Sequence, residues 1–302
     1  MRWRKCGRIY APTGALWWAR SYATIPTVEV HGDVLRVYFA ALDEERRGRI
    51  GYVDVEASNP GRILGESAEP VLDLGRPGLF DDSGVNPSCV VTVDGSRYLY
   101  YIGWQRCERV PYMLFAGLAI SREDGRYERL QEVPVLDRTP GEPFLRSATS
   151  VHYADGSFLA WYVSGVGWET IAGRLYPTYV IRCAQSSDGI RWTSRQEPCL
   201  DFADADEFGF GRPWVLRESG RYRMWYSIRS RSQPYRIGYA ESADGIRWTR
   251  KDAEAGIERS AAGWDSEMIC YPCVVDAAGQ RYMFYNGNQH GASGFGYAVL
   301  EG

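Results

Sequence analysis

The sequence predicts an all-β fold, a five-bladed β-propeller with four antiparallel strands per blade. Three observations carry that expectation. A short segment recurs at near-regular intervals, an aromatic strand stands upstream of each copy, and a tight turn precedes each aromatic strand. Arg49-Ile50-Gly51-Tyr52-Val53-Asp54 returns as Arg236-Ile237-Gly238-Tyr239-Ala240-Glu241, with weaker copies ending at Ala119, Ala184 and Ala298. Taking Val53 and those four alanines (Ala240 included) as equivalent gives spacings of 66, 65, 56 and 58 residues, the mark of a repeat architecture.

Each element follows from local pattern. The aromatic strands are Val37-Tyr38-Phe39, Tyr98 to Tyr101, Leu159 to Tyr162, Tyr222 to Tyr226 and Tyr282 to Tyr285. Aromatic and β-branched side chains favour the pleated, half-buried surface of a strand. The turns before them read His31-Gly32-Asp33, Asp94-Gly95-Ser96, Asp155-Gly156-Ser157, Glu218-Ser219-Gly220 and Ala277-Ala278-Gly279, the chemistry of two-residue hairpins. Units two to four run on into a Ser-x-x-Asp-Gly or Ser-x-Asp-Gly turn and an outer strand. The last unit stops before any outer strand, whereas the segment 2–10 belongs to no unit. That segment is expected to complete the last blade and close the ring, which removes exposed edges. The blades are placed at 18–66, 80–136, 142–198, 206–252 and 264–302, in a single domain.

Composition limits the function. At 302 residues and 45% hydrophobic, the chain fills a substantial core and is not disordered. A net charge of −3 gives no general attraction to nucleic acid or to a membrane surface. No stretch approaches the roughly 20 apolar residues of a spanning helix. Seven scattered cysteines fit reduced thiols better than a disulfide framework, so the protein is read as cytoplasmic, without signal peptide or membrane anchor. Lys5 and Lys251 are the only lysines among 35 basic residues. The arginine excess reads either as a GC-rich genome or, where arginines gather, as anion recognition.

In a propeller the first strand of each blade lines the axis. A recurring proline locates those strands: Pro26, Pro87, Pro213 and Pro272, with Ser147-Ala148-Thr149 in the third unit. The proline is expected to start a strand, where its missing N–H is harmless. Asp82 and Glu267 each stand five residues before such a proline and are the candidate acid and base, since glycosidic cleavage needs two carboxylates across a sugar-sized pocket. The alternative is that they cap loops or pair with arginines. Arg20, Arg146, Arg212 and Arg229 are candidates for holding an anionic part of a substrate, or for salt bridges between blades. Asp81, Asn86 and Tyr271 flank the same strands. Trp104 and Trp168 are candidate sugar platforms, beside Glu169, and Asn288 and His290 offer hydrogen bonds to hydroxyls. Cys270 and Cys273 are expected on opposite faces of a strand, and the three histidines lie far apart, so no metal site is expected. No phosphate loop or nucleophile elbow is present, and no cofactor is expected.

The five-fold pattern, the Ser-x-Asp-Gly-x-x-Trp turns and Met283-Phe284-Tyr285-Asn286-Gly287-Asn288 resemble the five-bladed propeller glycosidases of glycoside hydrolase families 43, 32, 68, 117 and 130. The resemblance spans essentially the whole chain and is nearest to propellers associated with bacterial polysaccharide gene clusters. It implies a carbohydrate-active enzyme that cleaves or modifies a glycosyl substrate, small or oligomeric, in the axial pocket. The sequence departs from the family 43 pattern at the catalytic carboxylates. Where the first blade should carry an acid directly before proline stands Ile25, Asn86 precedes the second-blade proline, and the third blade has no acid at the expected position. A sugar-binding propeller without turnover, or a biosynthetic enzyme on a reused scaffold, is the alternative.

Overall fold

The computed structural model describes residues 1–301. Twenty strands account for nearly all regular structure. In chain order they are β1 (Trp3–Tyr10), β2 (Ser21–His31), β3 (Val34–Leu42), β4 (Gly48–Glu56), β5 (Asn59–Glu66), β6 (Gly84–Val93), β7 (Ser96–Arg106), β8 (Tyr112–Ser121), β9 (Tyr127–Arg129) and β10 (Arg146–Ala154). The second half contains β11 (Ser157–Ile171), β12 (Arg174–Ser186), β13 (Thr193–Ser194), β14 (Glu207–Glu218), β15 (Arg221–Ser230), β16 (Arg236–Ser242), β17 (Thr249–Arg250), β18 (Cys270–Ala277), β19 (Gln280–Asn286) and β20 (Phe295–Leu300). Among the described residues no helix is long and apolar enough to cross a membrane.

The strands pair as antiparallel meanders: β2 to β5, β6 to β9, β10 to β13, β14 to β17, and β18 to β20 with β1. The first four meanders touch through single parallel register points, Gly48 with Gly84, Phe115 with Arg146 and Tyr179 with Gly209, so they share one extended hydrogen-bonded network. The N-terminal strand β1 runs antiparallel to β20, with Lys5 opposite Ala298.

Turn chemistry sets the hairpins. Asp94-Gly95, Asp155-Gly156, Ser219-Gly220 and Ala278-Gly279 all have positive φ at both residues, the twist that matches two paired strands. The glycine two residues before Ala119 and Ala240 has a different cause. Gly117 and Gly238 lie opposite Tyr101 and Tyr226. A Cβ there would stand 2.2 Å from Tyr101 Cζ and 2.6 Å from Tyr226 Cε2. At these two positions the aromatic ring of one strand lies across the bare backbone of the next, whereas Gly51 makes room for Trp18 and Gly296 for Trp264.

The tyrosine hydroxyls then tie loop to outer strand. Tyr101 donates to buried Asp81 at 3.0 Å, and Arg129 of β9 reaches the same carboxylate at 2.7 Å. Tyr226 donates to Asp252 at 2.6 Å, which Arg250 of β17 also holds. Tyr285 donates to Asp265 at 2.9 Å, and the cation is Lys5 of β1. Arg129, Arg250 and Lys5 occupy one register position, opposite Ala119, Ala240 and Ala298.

Two expectations are corrected. The recurring prolines do not start strands: Pro26, Pro87 and Pro213 lie inside β2, β6 and β14, each at a register shift where the strand bulges and no ladder N–H is needed. Cys270 and Cys273 do not simply alternate, because the β18 bulge between them spaces their partners, Asn286 and Phe284, by two.

Candidate functional site

The bulges build the site. Register shifts interrupt β2 between Thr24 and Thr27, β6 between Pro87 and Cys89, β10 between Ser147 and Ser150, β14 between Gly211 and Trp214, and β18 between Cys270 and Cys273. At these shifts Ile25, Ala148, Arg212 and Tyr271 adopt φ of 57°, 52°, 41° and 56°. Positive φ is costly for residues with a Cβ, and such strain gathers where a fold aims side chains at a site. All four, together with Asn86 of β6, line one cavity of about 290 Å³. Each first strand therefore contributes at least one residue at or beside its bulge to a shared space, with Ser147 and Gly211 added from β10 and β14. Larger open clefts of about 820 and 780 Å³ flank the strands elsewhere and receive none of these residues.

The rest of the wall is aromatic and apolar. Trp104 enters from β7, Tyr112 from β8, Tyr179 from β12 and Tyr235 from the loop before β16, with Ile102, Leu114 and Val163 between them. Gly84 exists to seat Trp104, since a Cβ there would lie 2.2 Å from the indole. The Tyr112 and Tyr179 hydroxyls are 3.4 Å apart. Burial pushes Tyr179, Tyr235 and Tyr271 well above the ordinary tyrosine range, so these hydroxyls stay protonated and able to donate. Among the described residues no carboxylate lines the cavity. The positions that the family 43 pattern fills with an acid, or sets before proline, are here an isoleucine and an amide.

Two guanidiniums serve this wall. Arg212 is 2% exposed; its Nη2 donates to the Thr27 hydroxyl at 2.7 Å and to the Pro26 and Ser88 carbonyls at 3.2 Å, while Nη1 donates to Pro272. One side chain from β14 thereby clamps β2, β6 and β18. Burial pulls its pKa below the ordinary arginine value. Arg229 donates to the Pro177 carbonyl at 2.8 Å and lies 4.8 Å from the Tyr179 ring and 4.4 Å from Phe208. Burial works against its charge, yet the surrounding tyrosines more than offset that and hold its pKa above the ordinary value. His290 packs its ring against Tyr235 at 4.7 Å and Tyr271 at 6.1 Å. Burial, and then the Arg229 charge, pulls it down to about 4, so it is neutral near pH 7.

Of the residues read from sequence, Asn86, Trp104, Arg212 and Tyr271 line the cavity, and Arg229 and His290 support its tyrosines. The others are placed elsewhere. Asp82 accepts the Gly78 N–H at 2.9 Å and the Ser83 hydroxyl at 2.9 Å within its own loop. Glu267 is exposed and its carboxylate takes no ion pair among the described residues; its backbone N–H donates to Asn288 Oδ1 at 2.8 Å. Neither carboxylate lines the cavity. Asn288 is a loop clamp, since its Nδ2 also donates to the Gly263 carbonyl. Asp81 is spent on Tyr101 and Arg129. Arg20 pairs with Glu44 at 3.2 Å, Glu169 with Arg231 at 2.5 Å, and Arg146 with buried Glu142 at 3.1 Å. Trp168 stands behind Tyr112, ring to ring at 6.1 Å.

Sequence reasoning missed Tyr112, Tyr179 and Tyr235, which come from strands and loops outside the first-strand set. A signal existed for part of the wall: Ile102 with Trp104, and Tyr112 with Leu114, are two apart on a strand and share a face. Also missed was Asn286, fully buried, which accepts the Ile25 N–H at 2.7 Å and donates to the Ala23 and Gly294 carbonyls. That amide holds Ile25 in its strained turn.

No protein-family model matches the chain. It is 41% identical over 302 residues to "Uncharacterized protein Rv1502" of Mycobacterium tuberculosis strain ATCC 25618 / H37Rv, covering 100% of both chains. The chain belongs to the Rv1502 family. "Uncharacterized protein MT1551" of strain CDC 1551 / Oshkosh is likewise 41% identical over 100% of both chains. Among solved structures, the Rv1502-family chain superposes on a glycosyl hydrolase from Bacteroides ovatus with a TM-score of 0.77 at 16% identity, covering 99% of this chain and 93% of that one. A protein described simply as a glycoside hydrolase gives 0.76 at 20% identity, covering 98% and 90%. A member of the GH130 family of mannoside phosphorylases, described as containing glycoside hydrolases that target β-1,2 mannosidic linkages in Candida mannan, gives 0.75 at 16%, covering 99% and 93%. The architecture is that of the propeller glycoside hydrolases, and at these identities the likeness concerns the fold.

Proposed function

We propose that the five meanders are blades of one ring closed by β1, and that the cavity on its axis binds a glycosyl ligand. The observation that supports this best is the wall itself. Five innermost strands each bulge to send one or two residues into a space framed by Trp104 and tyrosines, and aromatic faces stack on the C–H groups of a sugar ring. Among the described residues the Asn86 amide and the Tyr235 and Tyr271 hydroxyls make no hydrogen bond, which leaves them for a ligand. Titration calorimetry against a panel of oligosaccharides and nucleotide sugars tests this. Binding by the wild type that weakens about tenfold or more in Trp104→Ala or Tyr271→Ala supports the reading; binding unchanged in both variants rejects it.

Turnover is a second reading, favoured by the positions of Asp82 and Glu267 on loops beside the cavity. Asp82 stands two residues from Gly84, which packs on Trp104, and Glu267 four residues from Tyr271. A substrate longer than the cavity would pass between these loops. Asp82→Asn and Glu267→Gln should then abolish release of sugar while leaving binding in the cavity intact; full activity in both variants removes these carboxylates from the chemistry.

A further inference from the structure

We infer that the cavity is built for an anionic sugar, one whose ring carries a carboxylate or a phosphate. This rests on the glycosyl reading above and names the charge of its ligand. Two arginines stand at the wall without an acidic partner among the described residues. The Arg212 guanidinium meets only carbonyls, a hydroxyl, a ring and the buried Cys89 and Cys273 thiols, whose pKa burial pushes up, and Arg229 meets the Pro177 carbonyl and aromatic faces. The Nε of each is buried without a hydrogen-bond partner. Among the described residues the other two buried arginines meet carboxylates: Arg146 meets Glu142 and Arg49 meets Asp43. The two exceptions are the two beside the cavity.

A buried cation without a counter-charge is expensive, and a low-dielectric wall carries its field into the neighbouring space. Of the acids on the surrounding loops, Asp81, Glu207 and Asp265 are already held by Arg129, Arg250 and Lys5, and Asp82 and Glu267, which have no cation partner among the described residues, do not line the cavity. The hydrogen-bonding groups at the wall point to the same ligand. Asn86, Ser147, Tyr235 and Tyr271 can all donate, Ser147 Oγ is buried without a partner, and no lining side chain is acceptor-only. Such a wall is met by a ligand rich in acceptors and negative in charge. Arg20 and Arg146, which the sequence placed at this rim, add nothing, since their charges are consumed by Glu44 and Glu142.

The test compares glucose, mannose and galactose with their uronates and their 1-phosphates, titrated into the full-length protein at about 50 and about 500 mM salt. At least one anionic form should bind about tenfold tighter than its neutral parent, and the preference should shrink at high salt. The uronate and phosphate arms tell the two anions apart. Arg229→Gln should lower the preference about tenfold, while Arg229→Lys, which keeps the charge, should retain most of it. Neutral and anionic forms binding alike would overturn the inference and leave the glycosyl reading standing. Failure of every sugar to bind would overturn both.

Discussion

The Lys5 ammonium lies 2.7 Å from Asp265 Oδ2, joining residues 260 positions apart. Asp265 also accepts the Tyr285 hydroxyl, so the N-terminal strand supplies the cation that Arg129 supplies to Asp81 in the second meander. Lys5→Ala should cost about 3 kcal/mol, because it strands a nearly buried carboxylate. Lys5→Met, which keeps the stem and loses the charge, should cost nearly as much. Urea denaturation measures both, and a loss below about 0.5 kcal/mol would show that the pair does not hold β1 in place.

Gly117→Ala and Gly238→Ala should each destabilise the fold by about 2–4 kcal/mol, since the new Cβ overlaps a fully buried tyrosine ring that has no room to swing. Gly65→Ala is the control: nothing lies within 4 Å of a Cβ there, and its melting temperature should hardly move. Equal behaviour of the three in calorimetry would contradict the ring-over-glycine account.

Arg212→Ala should be among the most damaging single changes, about 3–5 kcal/mol, because it leaves three carbonyls and the Thr27 hydroxyl without their donor and opens a void among the innermost strands. Arg20→Ala, at an exposed pair with Glu44, should stay within about 1 kcal/mol. Thermal melts of the two variants separate a clamp from a surface charge.

His290 gives stability a pH dependence. Its folded pKa, about 4, lies below the ordinary 6.5, so between those values the unfolded chain binds the extra proton. Stability is therefore full above 6.5, falls as the pH drops through that window, and levels off below 4. Arg229, Tyr235 and Tyr271 face the ring, and none offers it a negative partner. His290→Asn, whose side chain tolerates the φ of 60° found here, should flatten the slope of denaturation midpoint against pH. An unchanged slope would place the titration elsewhere.

The repeat was legible because it is local. A ring needs its glycine across the ladder, a hairpin needs Asp-Gly or Ser-Gly, and both recur at a spacing that can be counted, so Ala119, Ala184, Ala240 and Ala298 fall at one register position. The bulges were not legible as such. Counting back from each proline gives an offset but not the extra residues, one in β6, β10 and β18 and two in β2 and β14, that decide where the side chains of each first strand point. Asp82 and Arg20 stand in the loops before β6 and β2 and do not line the cavity, while Ile25 and Ala148, inside the bulges, do.

What the sequence determined by itself was the strand content, the meanders, and the departure from the usual catalytic acids at Ile25 and Asn86, because these depend on residue type and short-range spacing. The tertiary structure decided which charges are free. Arg146 and Arg229 are both buried arginines, but Glu142 closes on the first and only rings and a carbonyl surround the second. A guanidinium's partner is chosen by packing between strands far apart in the chain, and that choice makes one arginine a brace and the other a field across the cavity.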